Sequence, residues 1–144
     1  MLIASTHRIA ACATLLLAAF LVPVNVEAQV DLDTGTDNAI QAMLSTGSTL
    51  KQFRAGRLGN LGTVVRVLRV PAGKSAFVVA VCDEYCGDLN LQVNAGGRDL
   101  GSDTETNPLA IVEIQRFSGP MSVRVSMAGC RVESCEYRVM LFIK

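Results

Sequence analysis

Met121, Val123, Val125 and Met127 alternate with Ser122, Arg124 and Ser126. A period of two marks a strand with one face buried and the other in water. Ala110, Val112 and Ile114 alternate in the same way with Ile111, Glu113 and Gln115, as do Leu89, Leu91 and Val93 with Asn90 and Gln92. Thr63–Val70 is rich in β-branched residues, Ala76–Val81 is a continuous apolar run of strand length, and Arg98–Gly101 fits a short edge strand. Tyr137, Val139, Leu141 and Ile143 form a last strand, with Met140 and Phe142 on its other face. Turn signals punctuate the series: Pro71-Ala72-Gly73, Asn94-Ala95-Gly96-Gly97 and Ser118-Gly119-Pro120. Seven strands at this spacing predict a mostly β domain, an antiparallel sandwich or barrel, of which an antiparallel β-sandwich of jelly-roll type is the form expected.

Upstream the period changes. Ala39, Ile40, Met43 and Leu44 make an apolar stripe at helical spacing, continued past Gly47 by Leu50 and Phe53. The spacing predicts a helix, or two short turns, over 38–53, with Asp37 as N-cap and a turn-like acidic stretch over 29–36. Gly56, Gly59 and Gly62 then read as a linker. The expected organisation is a helical segment and linker at 29–60 and a β-sandwich domain at 61–144. Met140 and Phe142 are expected to pack beneath the helix, because large bare apolar patches are uncommon on soluble monomers.

Residues 1–28 have a different character. His7 and Arg8 precede an apolar run from Ile9 to Val24, and Val26-Glu27-Ala28 supplies a small-x-small site. That order is the pattern of a cleaved secretory signal peptide. The run is shorter than the roughly 20 apolar residues of a membrane span and contains Pro23. Ile9-Ala10-Ala11-Cys12 is no lipobox, because Leu15 to Val22 lies beyond the cysteine. Cleavage after Ala28 leaves 116 residues, enough for one domain with a core, and no membrane span. The expected location is outside the cytoplasm, in the periplasm or the medium.

Composition then narrows the chemistry. Lys plus Arg and Asp plus Glu both total 13, and nothing in that balance favours nucleic acid. The only histidine, His7, falls in the signal segment, so the mature part can build neither a Ser-His-Asp or Cys-His site nor a His-ligated metal site. Four cysteines remain, Cys82, Cys86, Cys130 and Cys135. An even count in an exported chain favours two disulfides over zinc ligation. Of three connectivities, hairpin geometry favours Cys82–Cys86 with Cys130–Cys135, while loop entropy favours bridges between the two loops. Gly56-x-x-Gly59-x-x-Gly62 lacks the strand-before, helix-after context of a phosphate loop.

Counting simple hairpins gathers both cysteine pairs at one end of the sandwich, together with Asp83, Glu84, Asp88, Asp103 and Glu105. Oxygen-rich, histidine-free loops suit calcium, which takes six to eight oxygens, so Asp83, Asp88 and Asp103 are the candidate metal ligands. The spacing matches no EF-hand, and the plainer expectation is a solvated loop whose acids cap turns, with no cofactor.

The stretch from about 60 to 143 resembles the bacterial pre-peptidase C-terminal domain family, in a cysteine-containing branch. The residues that carry the resemblance are Pro71-Ala72-Gly73-Lys74, Cys82-Asp83 with Cys86, Asp88-Leu89-Asn90-Leu91, Asp103, Pro108, Ser118-Gly119, Val123-Arg124-Val125 and the Met127…Cys130…Cys135-Glu136-Tyr137 ending. Asn90 stands where the family usually has a second Asp, and Met121 where it usually has an aromatic. The resemblance implies a β-sandwich module of exported proteins, some relatives binding calcium. The function expected is therefore non-catalytic binding of a protein, a polysaccharide or the cell surface. The rivals are a small hydrolase using Asp83 with Asp88 or Asp103, and an accessory subunit docking by its helix.

Overall fold

The computed structural model describes residues 31–144. The signal-peptide reading, with His7 and Cys12, lies outside the described residues. In chain order the elements are helix α1 (Leu32–Ser45) and strands β1 (Thr49–Leu58), β2 (Thr63–Cys82), β3 (Cys86–Ala95), β4 (Arg98–Asp103), β5 (Leu109–Cys130) and β6 (Cys135–Ile143).

The expected antiparallel β-sandwich forms, but from one sheet folded over on itself, in the order β1-β6-β2-β5-β3-β4. β2 and β5 are long enough to belong to both layers. Val64–Val70 pairs with Gly119–Val125, and Ala76–Val81 pairs with Leu109–Ile114, with the register broken between the two blocks. One layer is β1, β6 and the second half of β2 beside the first half of β5. The other is the first half of β2, the second half of β5, β3 and β4. Pro71-Ala72-Gly73 and Ser118-Gly119-Pro120 are therefore not chain reversals. They lie opposite each other and make the corner, where Gly73 and Gly119 take positive φ values of 70° and 111°. Each bend joins two expected strands into one. These two fusions reduce the expected seven strands to five, and β1, read as helix and linker, brings the described strands to six.

The core lies between the layers and takes the inward positions of β2, β3, β5 and β6: Leu68, Val78, Leu89, Leu91, Val112, Val123, Val125, Tyr137 and Leu141 are all buried. Period-two alternation therefore places the right residues inside. On the outer face of the first layer, Val79, Val81, Met140 and Phe142 pack against Leu32 and Ala39 of α1, the expected cover for Met140 and Phe142.

The helix expected over 38–53 is corrected at both ends. It begins six residues earlier than expected, capped not by Asp37 but by Asp31, whose carboxylate accepts from the N–H groups of Asp33 and Thr34 at 2.9 and 3.0 Å. It stops before Gly47, whose φ of 80° is a left-handed value that suits glycine. Leu50 and Phe53 belong to β1, and Gly56 is inside that strand rather than in a linker. β1 pairs with β6 from Thr49 to Leu58, so the expected boundary at residue 60 is crossed by a ladder of the sandwich itself.

Two seams remain where layer edges meet without a ladder. At one, the Gln52 side chain donates to the Arg69 carbonyl at 2.8 Å and accepts from the Arg69 N–H at 3.4 Å. At the other, Asp103 accepts from the Ile111 N–H at 2.8 Å.

Candidate functional site

β2 ends at Cys82 and β3 begins at Cys86, while β5 ends at Cys130 and β6 begins at Cys135. Each tight connection is closed by its own disulfide, Cys82–Cys86 and Cys130–Cys135, with Cα separations of 5.9 and 5.8 Å. The two loops lie side by side, because β3 pairs with β5 as far as Cys86 opposite Cys130. Both disulfides thus gather at one end, although the strand count used to place them there was wrong.

The loops are tied to each other as well as closed. The Arg131 N–H donates to the Tyr85 carbonyl at 3.0 Å, and the Asp83 N–H donates to the Glu136 carbonyl at 3.1 Å. The Arg131 guanidinium donates to the carbonyls of Glu84 and Tyr85. Asp83 is buried, and its carboxylate accepts from the N–H groups of Tyr85 at 3.2 Å and Glu136 at 2.6 Å. Arg57 of β1 pairs with Glu136 and donates to the hydroxyl and the carbonyl of Ser134, and Asn60 accepts from the Cys130 N–H. Out of this braced end project Tyr85 and Val132, 46% and 42% exposed. Both side chains stand on loops that are each closed by a disulfide and bonded to one another.

The acids do not converge. Asp83 is spent on its two backbone donors. Asp103 is likewise engaged, accepting from Glu105 N–H at 3.1 Å and from Ile111 N–H. Asp88 pairs opposite Gly129 on β3, one buried carboxylate oxygen without a partner, and the side-chain oxygen of Asn90 is in the same state. Asp88 and Asn90 lie two residues apart on β3 and offer at most three side-chain oxygens, where calcium takes six to eight. Among the described residues, no group of three or more His, Cys, Asp or Glu side chains is placed to hold a metal ion. The calcium set Asp83, Asp88 and Asp103 is therefore not assembled in this geometry. A carboxylate pair built on Asp83 would also begin with both oxygens already bonded to backbone donors.

Two further surfaces escaped the sequence reading. A shallow polar depression of about 300 Å³ on the outer face of β3, β4 and β5 is lined by Asn90, Gln92, Ser102, Thr104, Arg124 and Ser126. An apolar groove of about 400 Å³ lies between α1 and β5, where Ala39, Met43, Val81, Leu109 and Ile111 line it. Tyr85 had a legible signal, an aromatic inside a Cys-x3-Cys loop. The groove had none, because it depends on how far α1 reaches across the sheet.

Neither a protein-family model nor a curated protein sequence matches the chain. Solved structures similar to it include PliG of Aeromonas hydrophila, a periplasmic inhibitor of g-type lysozyme, at 15% identity and a TM-score of 0.47 over 69% of this chain and 90% of that one. The CBM36-1 domain of a multidomain xylanase from the hindgut metagenome of Trinervitermes trinervoides shares 14% identity at a TM-score of 0.37, over 69% of this chain and 91% of that one. A CBM36 carbohydrate-binding module in complex with calcium and xylotriose shares 12% identity at 0.36, over 67% and 93%. All three scores lie below 0.5, and neither partner nor chemistry transfers from these proteins to this chain.

Proposed function

We propose that this chain is an exported, non-catalytic β-sandwich module that binds a protein partner through its disulfide-locked end. The observation that carries the reading is the pair Tyr85 and Val132, exposed on two loops that are each closed by a disulfide and bonded to one another. Tyrosine is over-represented among residues that dominate binding energy, and a loop already ordered loses little entropy on docking. Export is supported by the signal pattern of residues 1–28 and by two disulfides, which persist in oxidising compartments. The resemblance to pre-peptidase C-terminal domains fits the same reading, since those are modules of exported proteins.

A polysaccharide partner is a second reading, favoured by the amide and hydroxyl side chains around the polar depression. The two are separated by capture from envelope and medium with the oxidised mature protein, followed by affinity measurement with the captured partner. Tyr85→Ala with Val132→Ser should weaken a protein partner at least tenfold, about 1.4 kcal/mol, with the melting temperature unchanged. Undiminished binding by that variant, or loss of binding by Gln92→Ala instead, overturns the assignment to the locked end.

A further inference from the structure

The four cysteines of the described residues are placed for one more pairing than the two bonds they make. Cys86 and Cys130 are Cα partners in the β3–β5 ladder. The bond beside them runs from the N–H of Arg131 to the carbonyl of Tyr85, that is, from the residue after one cysteine to the residue before the other. This marks a non-hydrogen-bonded pair, whose Cα atoms lie about 4.5 Å apart with both side chains on the same face. That distance falls within the roughly 4.4–6.8 Å range of disulfides. Cys86 is buried in the core cluster, and Cys130 is partly buried against it. Cys82 and Cys135 are placed less well, because Cys82 is opposite Tyr137. Cys135 is therefore a diagonal neighbour of Cys82, at about 7–8 Å.

We propose that the locked end has a second, cross-strand state, Cys86–Cys130, reached by thiol–disulfide exchange when a dithiol reductant opens Cys82–Cys86. In the first step the dithiol is oxidised to its cyclic disulfide, and its two electrons and two protons pass to Cys82 and Cys86. The Cys86 thiol then loses its proton to solvent, and its thiolate attacks Sγ of Cys130. The Cys130–Cys135 bond breaks as Cys86–Cys130 forms, and Cys135 leaves as a thiolate that takes up a proton. The net product has one disulfide and thiols at Cys82 and Cys135. Mild reduction then does not free the two loops. It exchanges two closures within loops for one stitch between them, so the geometry around Tyr85 responds to the redox state of its surroundings. This device rests on ladder register and holds whatever the end binds.

Limited reduction of the folded protein with dithiothreitol, alkylation of free thiols and peptide mapping test it. The expected one-disulfide species carries Cys86–Cys130 with Cys82 and Cys135 alkylated. A one-disulfide species that keeps only Cys82–Cys86 or Cys130–Cys135, or direct passage to four thiols, overturns it. The oxidised Cys82→Ser/Cys135→Ser variant, made without residues 1–28, should show no titratable thiol, and two remaining thiols in a folded sample would refute the pairing. If that variant does not fold, the mapping of the unsubstituted protein decides.

Discussion

Gly56→Ala should be strongly destabilising, because the added methyl group meets a buried ring. A Cβ at position 56 would stand 2.6 Å from the Tyr137 hydroxyl and 2.9 Å from two ring carbons. Ordinary contact begins near 3.4 Å, so the ring must retreat by several tenths of an ångström. It has nowhere to go. Tyr137 is buried opposite Gly56 in the β1–β6 ladder, and its hydroxyl accepts from Arg66 Nε at 3.1 Å and Nη2 at 2.7 Å, with the guanidinium 6.0 Å from the ring centroid. Overpacking of this kind costs about 1–3 kcal/mol. Dragging the hydroxyl off a charged donor adds about 1.5 kcal/mol or more. The expected loss is about 3 kcal/mol, a large share of the roughly 5–15 kcal/mol that holds a domain together. In urea, with a slope near 2 kcal/mol per molar, the midpoint should fall by about 1.5 M. Gly87→Ala is the control, since its nearest heavy atom would be 3.9 Å away, and it should stay within about 0.5 kcal/mol of the parent. Tyr137→Phe in the Gly56→Ala background removes the nearest clashing atom, so the cycle should show coupling of about 1 kcal/mol. A Gly56→Ala midpoint equal to that of Gly87→Ala would refute the packing argument.

Val123 is fully buried on β5, so Val123→Asp should cost more than about 4 kcal/mol, while Arg124→Ala on the outer face should fall within about 0.5 kcal/mol; equal urea midpoints would show the strand phase to be wrong. The Thr34 N–H, its hydroxyl and the Asp33 N–H hold the Asp31 carboxyl below its ordinary value of 3.8. A depressed folded value means the cap's contribution is complete above pH 3.8 and is lost as pH falls through the folded value. Hydrogen-exchange protection of α1 should therefore drop in strong acid, and by less in Asp31→Asn, with equal drops counting against the cap. Excess calcium and excess chelator should give the same melting temperature, because Asp88 and Asn90 supply too few oxygens; a rise with calcium that Asp88→Asn abolishes would restore the metal site.

What the sequence made legible was face, more than path. Alternation from Met121 to Met127 placed Val123 and Val125 inside, because one face must leave water whatever the strand's neighbours are. The same alternation says nothing about whether Ser118-Gly119-Pro120 reverses the chain or bends it. Gly119 is compatible with both uses, and only the opposing bend at Pro71-Ala72-Gly73 decides between them. β1 was illegible for another reason. It is an edge strand with an irregularity between Leu50 and Gln52 and a glycine at 56, so no clean period survives, and Leu50 and Phe53 happen to continue the helical stripe. The locked end was half legible. Cysteine spacing pointed to local bridges, whereas the cross-bonding of Arg131, Asp83 and Glu136 exists only once β3 lies beside β5.

The position of β6 has a consequence for how the chain reaches this state. β6 is the last strand in sequence, yet it is sandwiched between β1 and β2, and it supplies Tyr137, Val139 and Leu141 to the core. A chain synthesised from its N-terminus has β1 and the second half of β2 in hand long before the strand that joins them. Until residues 135–143 arrive, Cys130 also lacks its partner in the second disulfide, and α1 lacks Met140 and Phe142 beneath it. The first layer therefore cannot close until residues 135–143 are available. In a chain threaded through a membrane N-terminus first, the second layer can form without β6, whereas the first cannot. Such a chain would complete its sheet only when that strand has crossed.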